Sequence, residues 1–294
     1  MVPPILVLLR PKHWVKNILV FAALFFSFSF TVPAVAVTVS VFIAFSLLAS
    51  TVYVINDIAD AERDSHHPTK KNRPIASGAI TKSTAVIIAA VLFIVSVWWL
   101  YSVGNYVAYI GLLYFGINIL YSFGLKHVAI LDVIIIAIGF VLRVIIGAVA
   151  INVPVSHWIV LCTFFLALFV AFGKRRHEMV LLGEDGKSQH RQSMREYTNG
   201  FIDQMLGLSA GVAVVFYSLY TIDTNTVLRF GSDDLIYTTP IVVFGVLRYF
   251  YLLYNRDSGG DPVQLMTRDR QLQLAIVIWL VSVWLIYHNP VQLI

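Results

Sequence analysis

The sequence predicts an all-α integral membrane protein, and its composition supports that fold class. Hydrophobic residues make up 59% of the 294 residues, whereas charged residues make up only 13%. A chain with so few charges has too little polar surface to cover a water-soluble fold. Because an isolated charge in hydrocarbon is costly, each polar cluster is expected at a membrane face or inside a shared cavity.

The apolar segments predict nine membrane-spanning helices, if about 17 to 25 residues form one crossing. The predicted spans are residues 17–32, 35–56, 84–102, 105–124, 128–151, 155–173, 201–221, 237–255 and 271–288. We interpret residues 1–294 as a single multi-span membrane domain. Its two long charged loops, residues 57–83 and 174–200, are the candidate catalytic loops.

The distribution of Lys and Arg predicts the orientation of these helices. If the N-terminus is cytoplasmic, all but three of the 21 Lys and Arg residues lie in cytoplasmic segments. The exceptions are Arg229 in an outer segment, and Arg143 and Arg248 within spans. The positive-inside rule therefore predicts a cytoplasmic N-terminus, an outer C-terminus and a polar cavity that faces the cytoplasm.

Four polar residues at the end of the second predicted span follow helical spacing. Asn56, Asp60 and Asp64 stand four residues apart, and Asp57 borders the face that they share. Oxygen ligands grouped in this way suit Mg2+, which shares its coordination shell with substrate phosphates. The alternative is a solvated helix end with scattered acids. We predict all four residues as metal ligands and the three aspartates as catalytic residues.

A basic run follows these carboxylates. Lys70, Lys71 and Arg73 can donate to the phosphate oxygens that a metal leaves free. Basic residues next to a membrane also bind anionic lipid head groups, and that alternative requires no carboxylates nearby. We predict that these three residues bind phosphate.

Further polar residues reach the same predicted membrane face or lie within spans. Lys12 and Lys16 precede the first span, where they either set the topology or contact a phosphate. Asp132 and Arg143 lie about 16 Å apart along one predicted helix, so separate partners are expected for them. Arg143 faces either a lipid phosphate or a structural hydrogen-bond network. The other candidate substrate-binding residues are Tyr121, Lys126, Lys174, Arg175, Arg176 and Glu178.

The spans and the NxxxDxxxD pattern at Asn56, Asp60 and Asp64 resemble those of the UbiA-type prenyltransferase superfamily. The segments RPKHWVKN, HPTKKNRPIASG, YSFGLKHVAILDV, GFVLRVIIGAVA and GKRRHE resemble its decaprenyl-phosphate phosphoribosyltransferase branch. Typical prenyltransferases carry a second Asp-rich motif where this chain has GKRRHE, with one acid and three cations. The resemblance covers essentially the whole chain and implies a UbiA-like helical bundle.

The resemblance implies a glycosyltransferase (pentosyltransferase) of the bacterial plasma (inner) membrane that acts in cell-wall arabinan synthesis. Such an enzyme transfers a 5-phosphoribosyl group from phosphoribosyl diphosphate to decaprenyl (polyprenyl) phosphate, with Mg2+ as cofactor. Lys174, Arg175 and Arg176 would join the first basic run on the donor phosphates. The residues assigned to the remaining phosphates are Lys16, Lys126 and Arg143. Membrane lipids are further expected partners, nucleic acid is not, and the sequence leaves a homo-oligomer open.

Two other functions compete with this interpretation. An ordinary prenyltransferase, which moves an isoprenoid from its diphosphate to an aromatic acceptor, predicts a second acidic cluster that the sequence lacks. A transporter or channel would account for Asp132 and Arg143 inside a span. It leaves the carboxylates after the second span unexplained, and it requires polar residues in the outer half, which is mostly apolar.

Overall fold

The computed structural model describes residues 3–66, 70–186, 192–255, 265 and 268–288. Within these ranges every regular element is a helix, which confirms the predicted all-α fold class. Residues 67–69 and 187–191, which belong to the two predicted catalytic loops, lie outside the described residues.

The described chain forms twelve α-helices joined by turns and 3-10 helices. The α-helices are α1 (Pro4–Leu9), α2 (Ala22–Phe26), α3 (Val32–Ser65), α4 (Lys82–Val103), α5 (Asn105–Phe123), α6 (Leu131–Ala150), α7 (His157–Gly186), α8 (Gln192–Glu196), α9 (Asn199–Thr221), α10 (Thr224–Phe230), α11 (Thr239–Asn255) and α12 (Arg270–His288). The 3-10 helices are Pro11–Phe21, Lys70–Asn72, Leu125–His127 and Asp234–Thr238.

Eight helices of the described chain are long and apolar enough to cross a membrane, and they correspond to the second to ninth predicted spans. The first predicted span, residues 17–32, instead contains the end of a 3-10 helix and the short helix α2. The count of nine α-helical crossings is therefore not confirmed. Hydropathy depends on composition and does not distinguish helix types. Because a 3-10 helix rises about 2.0 Å per residue, Pro11 to Phe26 still extends about 30 Å, close to the thickness of the hydrocarbon core.

The longest helix, α3, extends beyond the thickness of a bilayer core. Thr31 caps its N-terminus by accepting a hydrogen bond from the backbone N–H of Ala34 (3.3 Å). The helix has 34 residues. At 1.5 Å per residue it is about 51 Å long, against about 30 Å of hydrocarbon. Its apolar part precedes Asn56, so the turns from Asn56 to Asp64 follow a segment that is by itself long enough for one crossing.

The chain divides into two compact units. In the first, which includes the chain up to Lys126 and Ile138–Val155, α3 packs against α4, α5 and the second part of α6. In the second, which includes His127–Ala137 and the chain from Ser156 onward, α7 packs along α9 and α11 packs along α12. The interpretation of the chain as one domain stays a prediction.

Gly147 of α6 marks a close approach between two backbones in the first unit. A Cβ atom at this position would collide with the carbonyl oxygen of Val20 in the first 3-10 helix. Because a backbone atom cannot rotate away, we expect Gly147→Ala to lower the free energy of unfolding by about 1–3 kcal/mol. The apparent unfolding temperature of the detergent-solubilised protein measures this change.

The matched control is Gly207→Ala in α9, where an added Cβ meets no atom within 4 Å. Alanine is favoured over glycine inside a helix by about 1 kcal/mol, so this control is expected to retain or raise the unfolding temperature. Equal unfolding temperatures for the two variants would contradict the close approach at Gly147.

Candidate active site

A group of ion pairs lies at the C-terminal end of α3 in the first unit. Arg73 donates from Nη1 to Asp57 (3.0 Å) and to Asp64 (2.5 Å), so one guanidinium joins two carboxylates. Arg10 donates from Nη2 to the same Oδ1 atom of Asp57 (2.5 Å). Lys126 Nζ lies 3.0 Å and 3.2 Å from the two carboxylate oxygens of Asp60. The group, called the ion cluster below, consists of Arg10, Asp57, Asp60, Asp64, Arg73 and Lys126.

Burial distinguishes the ion cluster from surface salt bridges. Asp57 is only 2% exposed, and Asp64 and Lys126 are each 3% exposed. By contrast, the side chains of Arg10 and Arg73 are 19% and 25% exposed. Removing one partner of a buried ion pair leaves a charge without compensation, which is strongly destabilising. Asp57 and Asp64 are thus held inside the unit, while both guanidinium groups keep an accessible edge.

A short folded segment after α3 positions Arg73. The backbone N–H of Arg73 donates to the carbonyl of Lys70 (2.9 Å), and the carbonyl of Arg73 accepts from the N–H of Ser77 (2.8 Å). Ile75, 7% exposed, packs in an apolar cluster with Ala61 of α3. The segment therefore folds back on α3 and brings one residue of the basic run to the carboxylates.

The oxygen donors of α3 fit a hard divalent cation by their chemistry. Mg2+ prefers carboxylate and amide oxygens, which Asp57, Asp60, Asp64 and Asn56 provide. In this structure, however, each of the three carboxylates pairs with Lys or Arg. Nowhere in the described chain do three acidic, His or Cys side chains converge on a common point. Metal binding by the four residues stays a prediction, since a metal would compete with the cations for the same oxygens.

A row of polar contacts joins the N-terminal segment to α3. The contacts are Arg10 with Asp57 (2.5 Å), Trp14 with Ser50 (3.0 Å) and Asn17 with Ser46 (2.9 Å). Residue numbers rise along the N-terminal segment as those of their partners fall along α3, so the two segments run antiparallel. Ser50 also donates to the carbonyl of Leu9 (2.8 Å). These contacts, called the N-terminal zipper below, hold the segment against the helix that carries the carboxylates.

Arg143 lies in a closed network of neutral partners at the far end of the N-terminal zipper. It donates to the side-chain oxygen of Asn17 (2.7 Å), the carbonyl of Gly139 (2.5 Å) and the hydroxyl of Tyr114 (3.1 Å). Its guanidinium carbon also lies 5.3 Å from the ring centre of Phe45. Arg143 is 5% exposed. Of the two roles that the sequence left open, this geometry favours the structural network, and contact with a phosphate stays a prediction.

A separate buried network lies in the second unit. Asp132 is 0% exposed and accepts hydrogen bonds from Arg175 Nε (2.8 Å) and the Tyr197 hydroxyl (2.6 Å). Arg175 also donates to Glu178 (2.6 Å), and Tyr197 accepts from the N–H of Ile130 (2.7 Å). Burial, followed by the hydrogen bond to Asp132, raises the pKa of Tyr197, so its hydroxyl remains a donor.

Asp132 and Arg143 therefore have separate partners, as the sequence predicted. Arg175 and Glu178, predicted to bind substrate, belong to the network around Asp132, and that substrate contact stays a prediction. Arg176 pairs with Asp203 (2.8 Å). The predicted residues outside the ion cluster and the two buried networks are Lys16, Asn56, Lys70, Lys71, Tyr121, Lys174 and Arg176. Their roles at a substrate also stay predictions.

Sequence reasoning did not select Arg10 or Tyr197 as site residues. The sequence predicts Lys16 as the site residue of this segment, which is a 3-10 helix. One local signal marks Arg10. It directly precedes Pro11, and the α-helical region is unfavourable for a residue before a proline, so a break from helical backbone is expected there. No comparable local signal marks Tyr197, whose partner Asp132 is 65 residues away.

Comparison with known proteins identifies relatives over most of the chain. Residues 17–277 match the UbiA prenyltransferase family. Decaprenyl-phosphate phosphoribosyltransferase from Mycolicibacterium smegmatis is 36% identical, with 92% of this chain and 88% of that protein covered. The protein of the same name from Mycobacterium tuberculosis is 34% identical, with 94% and 91% covered. A UbiA homolog from Archaeoglobus fulgidus, solved bound to GPP and Mg2+, has a TM-score of 0.72 at 16% identity, with 97% of this chain and 99% of that chain covered.

Proposed function

The chain belongs to the UbiA prenyltransferase family, and from that premise we propose that it transfers a 5-phosphoribosyl group from phosphoribosyl diphosphate to a polyprenyl phosphate. Diphosphate is the second product. The names of the relatives that are 36% and 34% identical support this activity and decaprenyl phosphate as the acceptor. Synthesis of a cell-wall arabinan precursor is the corresponding proposed role.

The ion cluster is the structural observation that carries the proposal. A diphosphate donor needs oxygen ligands for a divalent cation and N–H donors for its own phosphate oxygens. The cluster combines three carboxylates with three cations, and each carboxylate lies within 3.0 Å of a Lys or Arg nitrogen. Both kinds of group therefore come from one part of the first unit.

The proposed reaction exchanges one bond at C1 of the ribose. The bond from C1 to the diphosphate oxygen breaks, its electron pair leaves with diphosphate, and an oxygen of the acceptor phosphate bonds to C1. The acceptor phosphate is ionised at neutral pH, so no proton has to be removed, and its positioning matters most. As negative charge develops on the leaving oxygen, Arg73 and Lys126 would stabilise it by donating N–H bonds.

Mg2+ is the proposed cofactor, and Asn56, Asp57, Asp60 and Asp64 would hold it. A divalent cation held there would supply Lewis-acid neutralisation of the diphosphate charge. The oxygen-only donor set supports the proposal, as does the A. fulgidus structure bound to GPP and Mg2+. With the carboxylates on the metal, Arg73 and Lys126 would donate to phosphate oxygens instead.

The eight apolar helices of the described chain and the family make this a multi-pass membrane protein. We further propose a bacterial plasma membrane location, a cytoplasmic N-terminus and a cytoplasmic active site. The bacterial relatives and the distribution of Lys and Arg support this orientation.

A transfer assay tests the proposed function. The purified full chain is incubated with Mg2+, radiolabelled phosphoribosyl diphosphate and decaprenyl phosphate, and label in the lipid phase is counted. A parallel reaction offers a radiolabelled prenyl diphosphate and an aromatic acceptor. Transfer in the first reaction is expected, and chelation of Mg2+ should abolish it. Transfer only in the parallel reaction would assign the ordinary prenyltransferase activity instead.

Asp60→Ala is expected to reduce label transfer by about 100-fold or more, because it removes a proposed metal ligand and the carboxylate that the buried Lys126 contacts. Glu62→Ala is the matched control, since Glu62 is an exposed acid on the same helix. Equal loss in both variants, or full activity in Asp60→Ala, would contradict the assignment.

A further inference from the structure

We propose that Arg10 is an additional donor-binding residue, which donates to the diphosphate together with Arg73, and that the N-terminal zipper positions it. The inference rests on the proposed function, because it concerns the phosphates of that donor. The ligand chemistry is a diphosphate with its divalent cation.

The first observation is that two guanidinium groups share one carboxylate oxygen. Arg10 and Arg73 donate to the same Oδ1 atom of Asp57, at 2.5 Å and 3.0 Å. Arg73 has Asp64 as a second acid, whereas Arg10 has no other acid within the described part of the chain. Because Asp57 is also paired with Arg73, Arg10 can turn to an incoming anion without leaving that buried carboxylate uncompensated.

The second observation is that both guanidinium groups retain unused donors. A guanidinium has five N–H donors in a planar fork that matches phosphate oxygens. Among the described residues, Arg10 donates only from Nη2 and Arg73 only from Nη1. The side chains are 19% and 25% exposed, so the remaining donors are not sealed inside the unit. An arginine with a purely structural role would be expected to use more of them within the protein, as Arg143 does.

The third observation is the backbone of Arg10. Its φ of 51° and ψ of 54° lie in the left-handed region, which is unfavourable for a residue other than glycine. Ser50 holds this conformation from both sides, because it bonds the carbonyl of Leu9 and the indole N–H of Trp14. Backbone strain that the surrounding structure imposes is typical of functional positions. Here it directs the guanidinium toward Asp57.

Binding of radiolabelled inorganic diphosphate in the presence of Mg2+ tests the inference on the purified full chain. We expect Arg10→Gln to raise the Kd by about tenfold or more, the effect of losing hydrogen bonds to a charged group. Arg10→Lys, which keeps the charge but not the fork, should give an intermediate Kd. Arg229→Gln, which removes an Arg from the predicted outer segment, is the matched control and should bind as the wild type does.

A second variant separates positioning from direct contact. Ser50→Ala removes the hydrogen bonds to the Leu9 carbonyl and from the Trp14 indole, which flank Arg10 in sequence, and it removes no group proposed to touch the ligand. We expect it to raise the Kd for diphosphate severalfold and to leave the KM for the polyprenyl phosphate unchanged. Gel filtration and the apparent unfolding temperature confirm that each variant is folded.

The inference is overturned if folded Arg10→Gln binds diphosphate within about twofold of the wild type, or if the wild type does not bind diphosphate. If Arg10→Gln does not fold, Arg10→Lys decides in the same way, because an unchanged Kd in that variant excludes a role for the fork. The proposed function fails independently. A wild type that binds diphosphate but transfers no label from phosphoribosyl diphosphate would refute the activity. The difference in diphosphate Kd between the wild type and the Arg10 variants would still test the role of Arg10.

Discussion

Arg73→Gln is expected to reduce phosphoribosyl transfer by about 100-fold or more and to lower the free energy of unfolding by about 3–5 kcal/mol. Arg73 joins the carboxylates of Asp57 and Asp64, which are 2% and 3% exposed. Without it, Asp64 has no cationic partner within the described part of the chain, and the proposed donor site loses a phosphate ligand. The transfer assay and the apparent unfolding temperature measure the two effects.

The matched control for this variant is Arg63→Gln, because Arg63 is an exposed arginine on the same helix as the carboxylates. It is expected to change both quantities little. A double variant, Arg73→Gln with Asp64→Asn, removes the buried unpaired charge and should recover stability without recovering activity. If Arg73→Gln transferred label at the wild-type rate, the ion cluster would not be the donor site.

Asp132→Asn is expected to cost about 3–5 kcal/mol of stability in the second unit, because the buried Arg175 loses its fully buried carboxylate partner. Arg175 would keep its ion pair with Glu178, whose side chain is 29% exposed. Tyr197 would also lose the charged acceptor of its hydrogen bond. A lower apparent unfolding temperature of the solubilised protein is the measurement, and Asp233→Asn, an exposed acid of the same unit, is the control.

The coupling within this network is measurable. Since Arg175→Gln removes the charge that Asp132 neutralises, the double variant Asp132→Asn with Arg175→Gln should lose less stability than the sum of the single variants. Additive losses would show that the pair contributes no coupling. If Asp132→Asn kept its stability but lost diphosphate binding, the network would serve the substrate rather than the fold.

The sequence alone predicted the all-α membrane fold, because the segregation of apolar and charged residues does not depend on how helices pack. It also predicted the helical spacing of Asn56, Asp60 and Asp64, since their separation along α3 follows from local geometry. The first predicted span shows the limit of hydropathy. The hydropathy of an apolar segment is the same whether it forms an α-helix or a 3-10 helix such as Pro11–Phe21.

The pairing of charges was decided only by the tertiary structure. The sequence identified the carboxylates and most of the cations, but Arg10 meets Asp57 across 47 positions and Lys126 meets Asp60 across 66. The sequence likewise required separate partners for Asp132 and Arg143 without naming them; Arg175 and Asn17 lie 43 and 126 positions away. Helical periodicity relates residues within a few turns of one helix. Ion pairs between segments depend on packing through space, which a single sequence does not encode locally.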